Sequence, residues 1–146
     1  MLLKVMMSPA GLAVDRWMVR WTGTSPLCHV FAHMSGFPAR PALLLTVRGR
    51  KTGRMRSSAL PYFEIDGRLF VVGSRGGGPK DPQWVTNLRV DPDCTNVVGR
   101  KKRRATARIA GGNERRSLWE DLVKLVPTYA HYQTLTTREI PLVIFD

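Results

Sequence analysis

The chain has 146 residues, of which 43% are apolar, enough for one compact domain with a packed core and too many for a disordered protein. Lys and Arg outnumber Asp and Glu by 23 to 11, and the formal net charge is +12. Such a surface attracts anions, so the candidate partners are nucleic acid, anionic lipid or a phosphorylated small molecule. The two cysteines, Cys28 and Cys94, are too few for a disulfide scaffold or a zinc site. Their small number favours a protein of the reducing cytoplasm but does not exclude one disulfide between them.

The amino-terminal region predicts a short helix on a protein without a transmembrane segment. The apolar start, 1–7, is shorter than a bilayer span and lacks the features of a signal peptide. Val14, Trp17, Met18 and Trp21 follow the spacing of one apolar helix face. That face would suit a bilayer interface or the protein's own core, and we favour the core.

A β-like run over 43–47 follows, and a basic turn over 48–54 separates it from a second strand over 57–65. Asp66-Gly67 is a strong hairpin signal before a third strand over 69–73. Pro61 marks an edge or a bulge in the second strand, because proline cannot donate to a ladder.

The carboxy-terminal half contains further helices and strands. In chain order they are a helix capped by Asp81 that begins at Pro82 and ends before Pro92, a hairpin over 94–98 and 103–109, a helix capped by Asn113 and ended by Pro127, and a strand over 140–145. On the second helix, Glu120 and Lys124 are spaced for an ion pair. Hairpins dominate and βαβ alternation is missing, which predicts an α+β protein with a mainly antiparallel sheet or barrel and peripheral helices.

Two glycine-containing segments are candidate anion sites. Gly49 and Gly53 flank cations in the basic turn, but Lys51-Thr52 precedes the second glycine, so the segment does not have the Walker pattern. Ser74-Arg75-Gly76-Gly77 follows a strand and would allow a flat ligand to approach the backbone. Either segment is also compatible with a solvated turn.

Three other clusters carry weaker signals. The cationic run 100–104 is typical of a charged hairpin tip, and it lacks the interleaved aromatics of a single-strand binder, so we expect no nucleic acid partner. Tyr129 and Tyr132, three residues apart, would either share a pocket or pack together. The histidines show no metal-ligand spacing, and we expect no metal site.

In their order and separation, several segments resemble the deazaflavin-dependent nitroreductase family, F420H2-dependent oxidoreductases with a split β-barrel of the FMN-binding type. The resemblance runs from Leu43 to the carboxy terminus and rests on segments 44–53, 74–77, 82–88, 118–119, 127–133 and 138–141. It implies a helix and loop over 1–40 that lines the substrate pocket or faces a membrane, and a cofactor-binding barrel over 41–146. A homodimer is a further expectation.

The resemblance also implies coenzyme F420, whose phosphate and oligoglutamate tail call for cations. Family contacts to phosphate and tail fall on Lys51 and Arg56, with Arg50 and Arg54 beside them. Contacts to the deazaflavin ring match Ser74, Arg75, Gly76 and Gly77, while Trp84 and Asn87 match the helix that closes over the cofactor, although Trp84 suits the core equally well.

The reaction implied is hydride transfer from reduced deazaflavin to a quinone-like or nitroaromatic acceptor. Ser74 and Tyr129 are candidates for orienting and protonating that acceptor, with Tyr132 in the same pocket. Two positions depart from the family: Val126 replaces an aromatic residue of some members, and Arg75 replaces the commoner Lys. FMN or haem in place of F420, a non-catalytic F420 carrier and a basic nucleic-acid module stay open as alternatives.

Overall fold

A closed antiparallel β-barrel of six strands forms the centre of the computed structural model, which describes residues 1–36 and 38–146. The strands follow one another around the barrel in the order β1-β2-β3-β6-β5-β4. Their bounds are β1 Ala42–Arg48, β2 Met55–Ile65, β3 Arg68–Val72, β4 Asp93–Val98, β5 Lys101–Ile109 and β6 Leu142–Phe145. The prediction of a mainly antiparallel split barrel with peripheral helices is confirmed.

Within the described residues, six helices surround the barrel and one 3-10 turn, Arg75–Gly77, follows β3. The helices are α1 Leu2–Met6, α2 Pro9–Thr22, α3 Pro26–Ser35, α4 Gln83–Val90, α5 Gly112–Leu125 and α6 Thr128–Thr134. The sequence patterns predicted α2, α4 and α5 but not α1, α3 or α6. Helices α1 and α6, with five and seven residues, are too short to show a full apolar repeat.

The long strand β2 belongs to both halves of the barrel. Its residues up to Pro61 pair with β1, and those from Tyr62 onward pair with β3. Pro61 therefore lies where the strand changes partner, as expected for a residue that cannot donate a ladder hydrogen bond.

Apolar side chains fill the barrel in two main clusters. One gathers residues of β1, α4 and β4, including Leu43, Val85 and Trp84, which is only 8% exposed. The other joins Phe63 and Phe70 to α5 and α6 and includes Tyr129. This second cluster carries the aromatic side of the candidate site.

Helix α2 packs on the barrel through a different face from the predicted one. Val19 is fully buried against Ala42 and Leu44, while Trp17 and Trp21 are 63% and 54% exposed. Asp15 is buried as well, and its carboxylate is satisfied there by hydrogen bonds that it accepts from Ser25 Oγ (2.8 Å) and Leu27 N (2.9 Å) at the start of α3. The prediction that this helix packs on the barrel is confirmed, but the face that carries Trp17 and Trp21 points away from the barrel contact and is exposed.

Both predicted helix caps are wrong. The side chain of Asp81 instead accepts from Arg138 at 2.8 Å and from Arg89 at 3.0 Å, and α4 begins after Pro82 without a side-chain cap. Asn113 lies inside the first turn of α5, whose N-cap is Gly111. Lys124 pairs with Asp121 at 3.5 Å rather than with Glu120.

Candidate active site

The loop after β3 has a backbone shape that few sequences allow. Arg75, Gly76 and Gly77 have φ values of 46°, 62° and 78°, all in the left-handed region. A Cβ on Gly77 would lie 2.6 Å from the carbonyl oxygen of Tyr132, whereas a Cβ on Gly76 would meet nothing within 4 Å. Gly77 therefore lets the loop pack against α6, and Gly76 leaves open space above the backbone.

Arg138 holds this loop in place, and the sequence patterns did not single it out as a site residue. Its guanidinium donates to the carbonyl oxygens of Ser74 (2.7 Å), Gly73 (3.2 Å) and Gly78 (2.9 Å). It also pairs with Asp81 at 2.8 Å. These partners lie some sixty residues before Arg138 in the chain, so only the folded structure brings them together.

The basic turn between β1 and β2 is tied to helix α4. Arg50 donates through its guanidinium to Gln83 Oε1 (2.8 Å) and Asn87 Oδ1 (2.9 Å), and through its backbone N–H to Asn87 Oδ1 (3.2 Å). Because α4 is the next helix after the glycine loop, these bonds place the basic turn beside the helix that follows that loop. Asn87 is 5% exposed, so its amide serves this contact in a nearly dry environment.

Three cations of the basic turn and of the adjoining start of β2 are exposed and lack acidic partners within the described part of the chain. They are Lys51, Arg54 and Arg56. Arg48, by contrast, pairs with Asp91 at 3.4 Å. The turn and the start of β2 thus present three positive side chains that are available to an anion.

A cavity of about 500 Å³ opens beside the glycine loop. Its walls come from the amino-terminal helices, the start of the barrel, the glycine loop and the α5–α6 region, and they include Met7, Cys28, Phe31, Arg40, Phe63, Ser74, Arg75, Gly76, Val126, Tyr129 and Tyr132. The volume is in the range of small-molecule sites, and the lining is mainly apolar with a few polar groups, as such sites usually are.

Aromatic rings form one side of this cavity. Phe63 meets Tyr129 edge to face with centroids 5.9 Å apart, and Tyr129 meets Tyr132 in the same way at 6.1 Å. Burial raises the pKa of Tyr129 well above its ordinary value, and Cys28 and Tyr132 add to the rise, while the positive charge of Arg40 opposes it. Tyr129 therefore stays a neutral phenol and a hydrogen-bond donor at physiological pH.

The predicted site residues fall into three groups. Ser74, Arg75, Gly76, Tyr129 and Tyr132 all line the cavity. The exposed cations lie on the turn, and Arg50 and Asn87 are joined to each other there. Gly77 and Trp84 are buried, the first against α6 and the second in the barrel core.

The fold, the glycine loop and the basic turn define a class of protein: a split β-barrel with a small-molecule cavity and a cationic surface, features that suit a flat ligand with an anionic tail. A family model described as F420H2-dependent quinone reductase matches residues 29–146. The chain belongs to this family, as its resemblance to the F420H2-dependent oxidoreductases indicated.

Relatives and solved structures agree with this family. An F420H2-dependent quinone reductase of Mycobacterium tuberculosis is 31% identical over 143 residues, which cover 90% of this chain and 96% of that protein. A solved F420H2-dependent reductase is 39% identical, covers 73% of this chain and 95% of its own, and superposes with a TM-score of 0.65. A further structure, described as a domain-swapped dimer, is 39% identical with a TM-score of 0.66 over 73% of this chain and 81% of that one.

Family membership makes the chain an F420H2-dependent reductase with coenzyme F420 as its cofactor and a small molecule as its substrate. The residues present fit that cofactor. No atom lies within 4 Å of the Cβ position of Gly76, so nothing there opposes a planar ring, and three exposed cations without acidic partners in the described chain suit a polyanionic tail. No helix within residues 1–36 and 38–146 has the length and apolar character needed to cross a bilayer.

Proposed function

We propose that the protein reduces a quinone-like acceptor bound in the cavity, using F420H2 held along the glycine loop and the basic turn. The observation that carries this proposal is the attachment of the basic turn to α4 through Arg50 and Asn87. It joins the basic turn to the helix that follows the loop Ser74–Gly76, and the residues of this loop line the mainly apolar cavity.

On the cofactor side, Lys51, Arg54 and Arg56 bind the phosphate and the oligoglutamate tail, and Arg50 and Asn87 position their turn. Ser74, Arg75 and Gly76 hold the ring, and Gly77 and Trp84 support the loop and α4 from below. When bound, the reduced deazaflavin supplies a hydride to the acceptor. The left-handed backbone at Arg75 is strained for a residue with a side chain, a feature that concentrates at ligand sites.

On the acceptor side, the aromatic wall of the cavity packs against a conjugated ring. The hydroxyls of Ser74 and Tyr129 orient the acceptor oxygen and provide its proton, and Tyr132 lines the same space. A donor near that oxygen lowers the barrier because negative charge accumulates there as hydride arrives. Nitroaromatic compounds fit the same description as secondary acceptors.

The decisive experiment measures F420 binding and turnover by the purified protein. Equilibrium titration should show a preference for F420 over FMN, and mixing with F420H2 and menadione should restore the absorbance of oxidised F420. Preference for FMN or haem would overturn the cofactor proposal. Tight F420 binding without turnover, for menadione or a nitroaromatic acceptor, would instead identify an F420 carrier.

Replacing Tyr129 with Phe tests the role of the phenol. We expect turnover to fall on the order of 100-fold, the usual effect of removing a positioned proton donor, with little change in the F420 dissociation constant. Steady-state kinetics at saturating F420H2 separate the two effects, and Tyr62→Phe is a control in the barrel. An unchanged turnover would remove Tyr129 from the mechanism.

We also propose that the segment 1–40 serves the acceptor side of the site, since Met7, Cys28 and Phe31 line the cavity. Peripheral binding to an anionic membrane face is a further proposal. It is supported by the exposed Trp17 and Trp21 and by Arg100 of the basic hairpin, whose Nε donates to the carbonyl of Trp21 at 2.8 Å. Co-sedimentation with anionic vesicles should fall when both tryptophans are replaced by Ser, and equal sedimentation would refute this role.

A homodimer is the remaining proposal on assembly, supported by the related structure described as a domain-swapped dimer. Light scattering coupled to gel filtration should give twice the chain mass. A monomer at micromolar concentration would contradict it.

A further inference from the structure

Arg40 is a cation in the wall of the cavity. The sequence patterns did not point to it, and the proposed cofactor contacts give it no role. It lies just before β1, and the backbone that follows it is fixed at two points. The carbonyl of Pro41 accepts from Tyr62 N at 3.3 Å, and Ala42 N donates to the carbonyl of Gly23 at 3.2 Å. The residue before a proline is also restricted to extended conformations. Arg40 therefore projects from a rigid position.

The guanidinium of Arg40 packs on the aromatic wall. Its central carbon lies 5.7 Å from the centroid of Phe63, within the range of a cation–π contact. Phe63 in turn contacts Tyr129, the proposed proton donor. The positive charge is thus held beside the phenol, and its effect on the pKa of Tyr129 reflects the same proximity.

The hydrogen-bonding capacity of this guanidinium is unused within the described residues. Nε is inaccessible to solvent and has no hydrogen-bond partner there. A buried donor without a hydrogen-bond partner is unfavourable, and such groups are uncommon in folded proteins. The described residues that line the cavity include two cations, Arg40 and Arg75, and no carboxylate that could neutralise them.

We propose that Arg40 binds the acceptor oxygen that becomes an oxyanion during reduction. This inference rests on the proposed function, and it assigns to the cavity a site for anionic oxygen. With hydride supplied by bound F420H2, the acceptor would gain one proton and two electrons and become the hydroquinone monoanion. A second proton would complete the hydroquinone, and the remaining proton of the oxidised cofactor would pass to solvent. Arg40 stabilises the monoanion, and the phenol of Tyr129 delivers the second proton, which it regains from solvent.

The environment strengthens this interaction. An ion pair in a mainly apolar cavity is less screened than one in water, and the planar guanidinium offers parallel donors to an oxygen or a carboxylate. Quinones that already carry an anionic oxygen should therefore bind the resting protein more tightly than neutral quinones of the same size. Arg40 makes charge on the acceptor a determinant of specificity.

The test uses Arg40→Met, which keeps much of the side-chain volume, with Arg40→Lys as a conservative variant and the exposed Arg116→Met on α5 as a matched control. With F420H2 and menadione, Arg40→Met should lower kcat about 100-fold, the loss typical of one oxyanion donor, while the F420 dissociation constant stays within about twofold. Arg40→Lys should retain part of the activity, and Arg116→Met all of it.

A second measurement needs no cofactor. Tryptophan fluorescence titration should show that 2-hydroxy-1,4-naphthoquinone, an anion at neutral pH, binds the wild type more tightly than 1,4-naphthoquinone does. Arg40→Met should weaken binding of the anion by about 10- to 100-fold and leave the neutral quinone unaffected.

The outcomes separate the two proposals. A wild type that binds the quinone anion through Arg40 but does not oxidise F420H2 would refute the proposed reaction and leave the oxyanion site intact. An active wild type whose Arg40→Met variant matches it in turnover and anion binding would overturn the role of Arg40. A variant that loses F420 affinity as much as turnover would assign Arg40 to the cofactor instead. If Arg40→Met fails to fold, Arg40→Lys decides through its preference between the two quinones.

Discussion

The two ends of strand β1 carry arginines in opposite environments. At its carboxyl end, Arg54 of the basic turn and Arg56 at the start of β2 are exposed to water, and Arg50 is bonded to α4. At its amino end, Arg40 lies against Phe63 on the wall of a mainly apolar cavity. The same side chain can thus serve two tasks: exposed cations collect a multiply charged tail, whereas a single half-buried cation responds to charge that appears during a reaction.

The difference follows from screening. Interactions of the exposed cations fall steeply with salt, since the Debye length is about 8 Å at physiological ionic strength. Those inside the cavity are screened much less. Binding of the cofactor should therefore depend on ionic strength, and turnover at saturating cofactor should depend on it only weakly.

Neutralising the turn tests this contrast most strongly. The triple variant Lys51→Gln/Arg54→Gln/Arg56→Gln should weaken F420 binding about 100-fold or more, since each exposed charged contact contributes about 1 kcal/mol. Its affinity should also lose most of its salt dependence, while kcat at saturating F420H2 stays near the wild-type value. Fluorescence titration with F420 from 20 mM to 500 mM salt measures the dissociation constant and its salt dependence. Steady-state kinetics at saturating F420H2 measure kcat.

The control for the triple variant removes the same charge elsewhere. Lys101→Gln/Lys102→Gln/Arg103→Gln changes three exposed cations of the β4–β5 hairpin. Affinity that falls equally in both variants would mean that net charge, and not the turn, captures the cofactor.

Arg138 fixes the glycine loop, which lines the cavity and precedes the helix that holds the basic turn. Arg138→Lys keeps the charge beside Asp81 but cannot reach the carbonyls of Ser74, Gly73 and Gly78 together. We expect a loss of about 2 kcal/mol in the free energy of unfolding and roughly tenfold weaker F420 binding, measured by urea denaturation and titration.

Arg89→Lys is the matched control, since Arg89 contacts Asp81 from a half-exposed position, and its effect should stay below about 1 kcal/mol. Equal effects of the two variants would show that the ion pair with Asp81 matters and the carbonyl contacts do not.

Local sequence signals account for much of the fold and for one half of the site. The Asp66-Gly67 hairpin, the cationic turn and the glycine loop depend on residues adjacent in the chain, and the patterns predicted their places. Arg40 and Arg138 could not be found in this way, because their partners are distant in sequence. Helical periodicity predicted that α2 is amphipathic but not which face contacts the barrel. That choice is made by Asp15, which reaches across to Ser25 and Leu27.

The smallest effect concerns the ionisation of Tyr129, which reports how dry the cavity is. Because burial raises its pKa in the folded protein, the phenol should ionise above the ordinary tyrosine value of about 10, where the unfolded chain ionises first. The free energy of unfolding should therefore be unaffected by Tyr129 below a pH of about 10 and should fall as the pH rises above that value, because the unfolded chain then loses the phenol proton more readily than the folded one. The difference in absorbance at 295 nm between wild type and Tyr129→Phe isolates this phenol from the other two tyrosines. Arg40→Met should move its midpoint further upward, because the guanidinium is the charge that lowers it. A midpoint at or below 10 would mean that water reaches the phenol freely, and the contrast between an exposed turn and a dry cavity would then fail.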